Sequence, residues 1–130
     1  MKPFLIFLIA LVCQFKLCAE QSTDFRLMTF NILQGGGNAK NVGLGDELFN
    51  GSRIDEIVSA IKIARADIVG IQEDCSSKSN IILNGLGTDW FRAGSIYSKF
   101  PVRLIRDDRF LDIVDIKITR SQIVRVVNCH

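Results

Sequence analysis

Three polar residues stand at the ends of apolar runs. Asn31 closes on Leu27-Met28-Thr29-Phe30, Glu73 follows Asp67-Ile68-Val69-Gly70-Ile71-Gln72, and His130 follows Val126-Val127-Asn128-Cys129. In an open α/β sheet, ligands gather beyond the carboxyl ends of the strands, so these three side chains have a place to meet. Glu73 is the sharpest of them. A carboxylate at the end of a buried strand is costly to desolvate unless a cation or several donors compensate it. As a hard oxygen ligand it suits Mg²⁺, Mn²⁺ or Ca²⁺. Asn31 both donates and accepts, so it can orient a water or a phosphate oxygen. His130, the single histidine, can give a proton or contact a phosphate. Each has a plainer reading too: a solvated strand-end glutamate, a turn-forming asparagine, a structural histidine.

The elements that must position them are legible from composition and period. Residues 25–33 have the β-branched and aromatic content of a strand. Residues 34–51 hold six glycines and three asparagines and read as a loop. Gly35-Gly36-Gly37 fits no phosphate-loop template, since no Lys-Ser/Thr follows and no GxGxxG opens a helix. It reads as flexible connection beside the site. Ser52 is a good N-cap, with Asp55 and Glu56 in the first turn. Ile54, Ile57, Val58, Ile61 and Ala64 then repeat at helical spacing. Residues 67–72 form a short apolar strand fit for burial on both faces. Strand, helix and strand make a βαβ unit and imply a parallel pair. A second helix is expected over residues 77–86, followed by short strands at 90–93 and 95–98. Three further strands at 102–106, 110–118 and 122–128 have short connections, as in antiparallel meanders. The class is α/β with a mixed sheet.

The remaining charged residues carry less. Asp46, Asp74, Asp107, Asp108, Asp112 and Asp115 have no supporting context and are expected in solvent. Arg103, Arg106 and Arg109 fit a solvated strand edge as well as a phosphate patch.

The 130 residues suffice for one modest domain. Residues 1–19 read as a secretory signal peptide: a basic start, the apolar run Phe4–Phe15, and Ala19 as a small residue before the cut. The run is too short for a comfortable membrane span, and an uncleaved anchor is the alternative. The expected destination is therefore secreted or periplasmic. Of 16 basic residues, Lys2 and Lys16 belong to that segment, and the 14 left balance the 14 acidic ones. Without a basic stripe there is no electrostatic case for strong nonspecific nucleic-acid binding. Cys75 and Cys129 remain beyond the signal, and a disulfide and two free thiols are both open.

Taken in order, several segments resemble the endonuclease/exonuclease/phosphatase superfamily, which has the deoxyribonuclease I fold. They are Met28-Thr29-Phe30-Asn31-Ile32, Arg53 with the helix after it, Ala66 to Glu73, Ser95 to Val102, and Val126-Val127-Asn128-Cys129-His130. The likeness spans residues 25–130. It implies the N-terminal half of a four-layer α/β sandwich with a mixed β-sheet and flanking helices, residues 20–130 being a partial domain. It also implies phosphoester hydrolysis assisted by a divalent metal, usually Mg²⁺, with Mn²⁺ or Ca²⁺ as alternatives. Glu73 would hold the metal, Asn31 would help shape the metal and phosphate site, and His130 would contact the scissile phosphate or assist proton transfer. Substrates on this fold include nucleic acid, phospholipid head groups and small phosphodiesters. The family's second half, with a Gly-Asp-x-Asn and a Ser-Asp-His segment, has no counterpart here. The expectation is a gene-model fragment or truncated product, and a catalytically inactive secreted α/β fragment or binding module is the competing reading.

Overall fold

A computed structural model of the chain describes residues 23–32, 53–74 and 76–130. The expected signal peptide, the glycine-rich loop with Asp46, the Ser52 cap and Cys75 lie outside the described residues. The elements are β1 (Leu27–Asn31), α1 (Ile54–Ile63), β2 (Ile68–Gln72), α2 (Ser76–Leu86), β3 (Phe91–Ala93), β4 (Ile96–Ser98), β5 (Val102–Asp108), β6 (Leu111–Lys117) and β7 (Ile123–Cys129). They form two sheets: a mixed one with order β1-β2-β4-β3 and an antiparallel one with order β5-β6-β7. The class is mixed α/β, rich in strands, with the expected meander as a separate sheet.

β1 and β2 pair in parallel, joined through α1, with Asn31 opposite Gln72. This is the βαβ unit that the helical period of the intervening isoleucines demands. Helix α1 buries Ile54, Ile57, Val58 and Ile61, and Arg53 rather than Ser52 is its flanking residue, without a side-chain cap. Among the described residues no helix is long and apolar enough to cross a membrane.

β2 explains the layering. Its side chains alternate between faces. Val69 and Ile71 join Ile57, Ile61, Ile82 and Tyr97 in a core between the mixed sheet and the helices. Ile68 points the other way and joins Ile96, Val114, Ile116 and Val126 between the two sheets. Helices, mixed sheet and antiparallel sheet are therefore stacked in that order. Each fully buried isoleucine or valine in these cores contributes about 1.5–3 kcal/mol of transfer free energy.

The register of the antiparallel sheet decides which residues face inward. Asp112, Val114 and Ile116 of β6 lie opposite Asn128, Val126 and Val124 of β7. Asp107 of β5 lies opposite Asp112. On the other face Asp115 stands between Arg103 and Arg125. The expectation that the aspartates are solvated is therefore wrong for Asp112 and Asp115, both 7% exposed. Strand pairing placed Asp112 against the mixed sheet, and two guanidinium groups accompany Asp115. Arg103 and Arg106 do not form a patch: Arg103 pairs with Asp115 and Arg106 with Asp108.

Candidate functional site

The three strand-end residues meet on one carboxylate oxygen. Asn31 is the last residue of β1, and its Nδ2 donates to Glu73 Oε1 at 2.9 Å. His130 follows β7, and its Nε2 lies 3.2 Å from the same oxygen. The parallel register that sets Asn31 beside Gln72 brings the first contact about. The second needs the two sheets to pack face to face, across 57 positions of sequence. His130 is further held by its backbone N–H, which donates to Phe110 O at 3.1 Å.

Glu73 has φ +59°. A non-glycine residue in this left-handed region carries about 1–2 kcal/mol of backbone strain. The bend turns the chain off β2 and sets Glu73 at the sheet's rim, its side chain 24% exposed. Directly after it, Asp74 accepts from Tyr97 Oη at 2.7 Å and from Ser79 Oγ at 2.9 Å. This ties the strand end to β4 and α2. Burial, and then the Asp74 charge, push the Tyr97 phenol well above its ordinary value, so it remains a neutral donor.

Behind the rim lies a polar chain that strand-end reasoning does not reveal. Asn128 is buried, and its Nδ2 donates to Ile71 O at 2.8 Å and to Ser95 Oγ at 2.6 Å. Its Oδ1 accepts from Gln72 Nε2 at 2.5 Å. The same Gln72 amide group donates to Thr29 Oγ1 at 3.0 Å. Ser95 in turn donates to Asp112 Oδ2 through its backbone N–H at 2.7 Å and through its hydroxyl. Only Cys129 separates Asn128 from His130, and Gln72 adjoins Glu73. The chain therefore fixes the strand ends that present the site.

Gly70 makes this approach possible: a Cβ there would lie 2.9 Å from Asn128 Oδ1. The signal for Asn128 and Asp112 was present in the period-two alternation of β6 and β7, which puts both polar residues in line with buried valines and isoleucines.

A cleft of about 340 Å³ opens beside these groups, lined by Glu73, Asp74, Arg92, Asp107, Asp112 and His130 among others. Arg92 is anchored by Nε donating to Gly94 O at 2.8 Å. The cleft is thus bordered by both signs of charge. Among the described residues no three His, Cys, Asp or Glu side chains are grouped so as to hold a metal ion by themselves. Cys129 is an exposed free thiol.

Comparison of the chain with models of protein families, with curated proteins and with solved structures found no match.

Proposed function

We propose that the chain carries part of the active site of a secreted, metal-dependent phosphoester hydrolase of the phosphodiesterase or nuclease type. The observation that supports this reading best is the convergence of Asn31 and His130 on Glu73 Oε1. A strained backbone at Glu73 is the second support, since such strain collects at functional positions.

The donor set fits a hard divalent cation of the Mg²⁺ class in one respect. Mg²⁺ is commonly held by one or two carboxylates together with substrate phosphates and water, not by an all-protein cage. Glu73 would supply the carboxylate, with Mn²⁺ or Ca²⁺ as substitutes. Such a cation, when bound, neutralises charge developing on phosphoryl oxygens. Asn31 holds the Glu73 carboxylate by its amide N–H and restricts its rotamers. His130, about half exposed at the cleft rim, holds a proton at Nε2 or contacts a phosphoryl oxygen. The substrate is a phosphoester: nucleic acid, a phospholipid head group or a small phosphodiester.

The same reading extends to architecture. Helices, mixed sheet and antiparallel sheet would be three consecutive layers of a four-layer α/β sandwich. The outer face of the antiparallel sheet, with Ile123 and Val127 exposed, would take the fourth.

Equilibrium binding of bis(p-nitrophenyl) phosphate to the full chain, with and without Mn²⁺, tests the proposal. Mn²⁺ should tighten binding, and Glu73→Gln should remove at least about tenfold of that gain, since losing even a residue that only supports a metal ligand costs about that much. An equal Mn²⁺ response in wild type and Glu73→Gln would sink it.

A further inference from the structure

At the opposite end of the mixed sheet from Glu73 lies a second cavity, of about 360 Å³. Asp67 precedes β2 and Glu73 follows it, so the five residues of that strand put roughly 17 Å between the two sites. The topology gathers several elements here. Arg26 enters β1, Lys62 and Arg65 come from the end of α1, Trp90 precedes β3, and Lys99 follows β4.

Charge is the first observation. Four cationic side chains, Arg26, Lys62, Arg65 and Lys99, line the cavity with a single carboxylate, Asp67. That carboxylate is already occupied: Oδ2 accepts from the Arg26 backbone N–H at 2.9 Å, and Oδ1 from Lys99 Nζ at 3.0 Å. Lys62 Nζ donates to Gly85 O at 2.8 Å, near the end of α2. Among the described residues the guanidinium groups of Arg26 and Arg65 join no ion pair. The carboxyl ends of α1 and α2 each bring about half a negative charge. An excess of three side-chain charges therefore falls to about two, the charge that a dianion would balance.

Backbone geometry is the second. Arg65 N–H donates to Lys62 O at 3.0 Å and Ala66 N–H to Ile61 O at 3.3 Å. These are the paired bonds of a helix stop whose left-handed residue is usually glycine. Here that residue is Arg65, with φ +52°. The chain accepts backbone strain and places a guanidinium at the cavity wall, where glycine would close the helix better. Buried Trp90 supplies an apolar wall, and Lys99 Nζ lies 5.6 Å from its ring centroid.

We infer that this cavity binds a doubly charged oxyanion of the phosphate class, with Arg26 and Arg65 as donors and Lys62 and Lys99 adding charge. Guanidinium groups suit the task because their forked N–H donors match two oxygens of a phosphate. The site needs no metal, and it does not rest on the phosphoester reading of the Glu73 cluster.

Titration of the full chain with inorganic phosphate, in buffer freed of divalent metal, tests this through the fluorescence of the single tryptophan. Wild type should respond saturably at about 10 mM ionic strength, where screening is weak. Sulfate, of like shape and charge, should compete, and chloride at equal ionic strength should not. Glycerol 3-phosphate, titrated separately, distinguishes a phosphoryl group on a carrier from the free ion, and saturable binding of either supports the site. Arg65→Gly should raise the melting temperature in phosphate-free buffer, because glycine suits the helix stop. It should nevertheless weaken phosphate binding about tenfold, the scale of a lost charge-assisted hydrogen bond. Arg106→Ala removes an equal charge from the other sheet, where Asp108 pairs it, and should leave binding within about twofold. Glu73→Gln should bind phosphate like wild type, so failure of this site and failure of the phosphoester site are distinguishable. A wild type that does not saturate, or that chloride competes as well as sulfate does, would overturn the proposal. So would Arg65→Gly binding like wild type, or Arg106→Ala weakening binding as much as Arg65→Gly.

Discussion

The seam between the two sheets has two unlike ends. At one end Ile68 and Ile96 meet Val114, Ile116 and Val126 in a dry core. At the other, Gln72 and Ser95 meet Asn128 and Asp112 through hydrogen bonds. The same strands supply both ends, so β-pairing alone does not separate them. Gly70 marks the change, because its missing side chain admits Asn128 to the mixed sheet. The dry end gains from area removed from water and tolerates any partner of the right volume. The polar end is directional: each group needs its own partner, and a half-satisfied network is worse than an apolar one. Stability is therefore concentrated at one end of the seam, and specificity of position at the other, beside Glu73 and His130.

The dry end should show the largest effect. Ile116→Ala deletes a fully buried side chain and should cost about 2–5 kcal/mol, read from the denaturation midpoint at constant m-value. A loss under about 1 kcal/mol would mean that the sheets do not rely on this contact.

At the polar end, Asn128→Ala should cost about 1–3 kcal/mol, because it strips partners from Ile71 O, Ser95 and Gln72. Gly70→Ala adds a sharper test. Alone it should destabilise, since its Cβ would strike Asn128. In the Asn128→Ala background that penalty should largely vanish. Additive effects in this double-mutant cycle would refute the close approach.

The outer face of the antiparallel sheet gives a smaller, pH-dependent effect. Hydrogen bonds from Arg125 first and Arg103 second hold the Asp115 carboxyl at about 2, below its ordinary 3.8. Its folded-state value is depressed, so between those two values the unfolded chain binds more protons. The contribution to stability is complete above the unfolded value and is lost as pH falls through the folded one. Wild type should thus lose stability between about pH 4 and pH 2 more steeply than Asp115→Asn. Parallel pH profiles for the two would contradict it.

The smallest effect should come from Lys99→Ala. It removes a partly exposed ion pair with Asp67 at 3.0 Å, and exposed pairs contribute about 0.2–1 kcal/mol. A larger loss would show that the contact of Lys99 with the Trp90 ring, 5.6 Å from its centroid, matters more than the ion pair.

Much of the fold was readable before any tertiary contact. The isoleucine period of residues 54–61 dictates an amphipathic helix, and the strand-helix-strand order dictates a parallel pair. The apolar run at 68–71 is buried on both faces, as its lack of alternation predicts. The β-meander followed from short polar connections. Less legible was the splitting of strands into two sheets, because β4 and β5 are separated only by Lys99, Phe100 and Pro101. No local preference says that the chain leaves one sheet there and enters another.

The same division holds for the site. Residue type and position at strand ends determined that Asn31, Glu73 and His130 were the residues to watch. Local chemistry is written in sequence because each strand's end and each side chain's donors are local properties. Only the tertiary structure decided that all three share one oxygen. It alone placed Asn128 behind them and left Asp112 buried opposite Asp107. Those outcomes depend on the register between strands and the stacking of two sheets. Register is a property of pairs of segments distant in the chain, and a shift of one residue would have turned every one of these side chains to the opposite face.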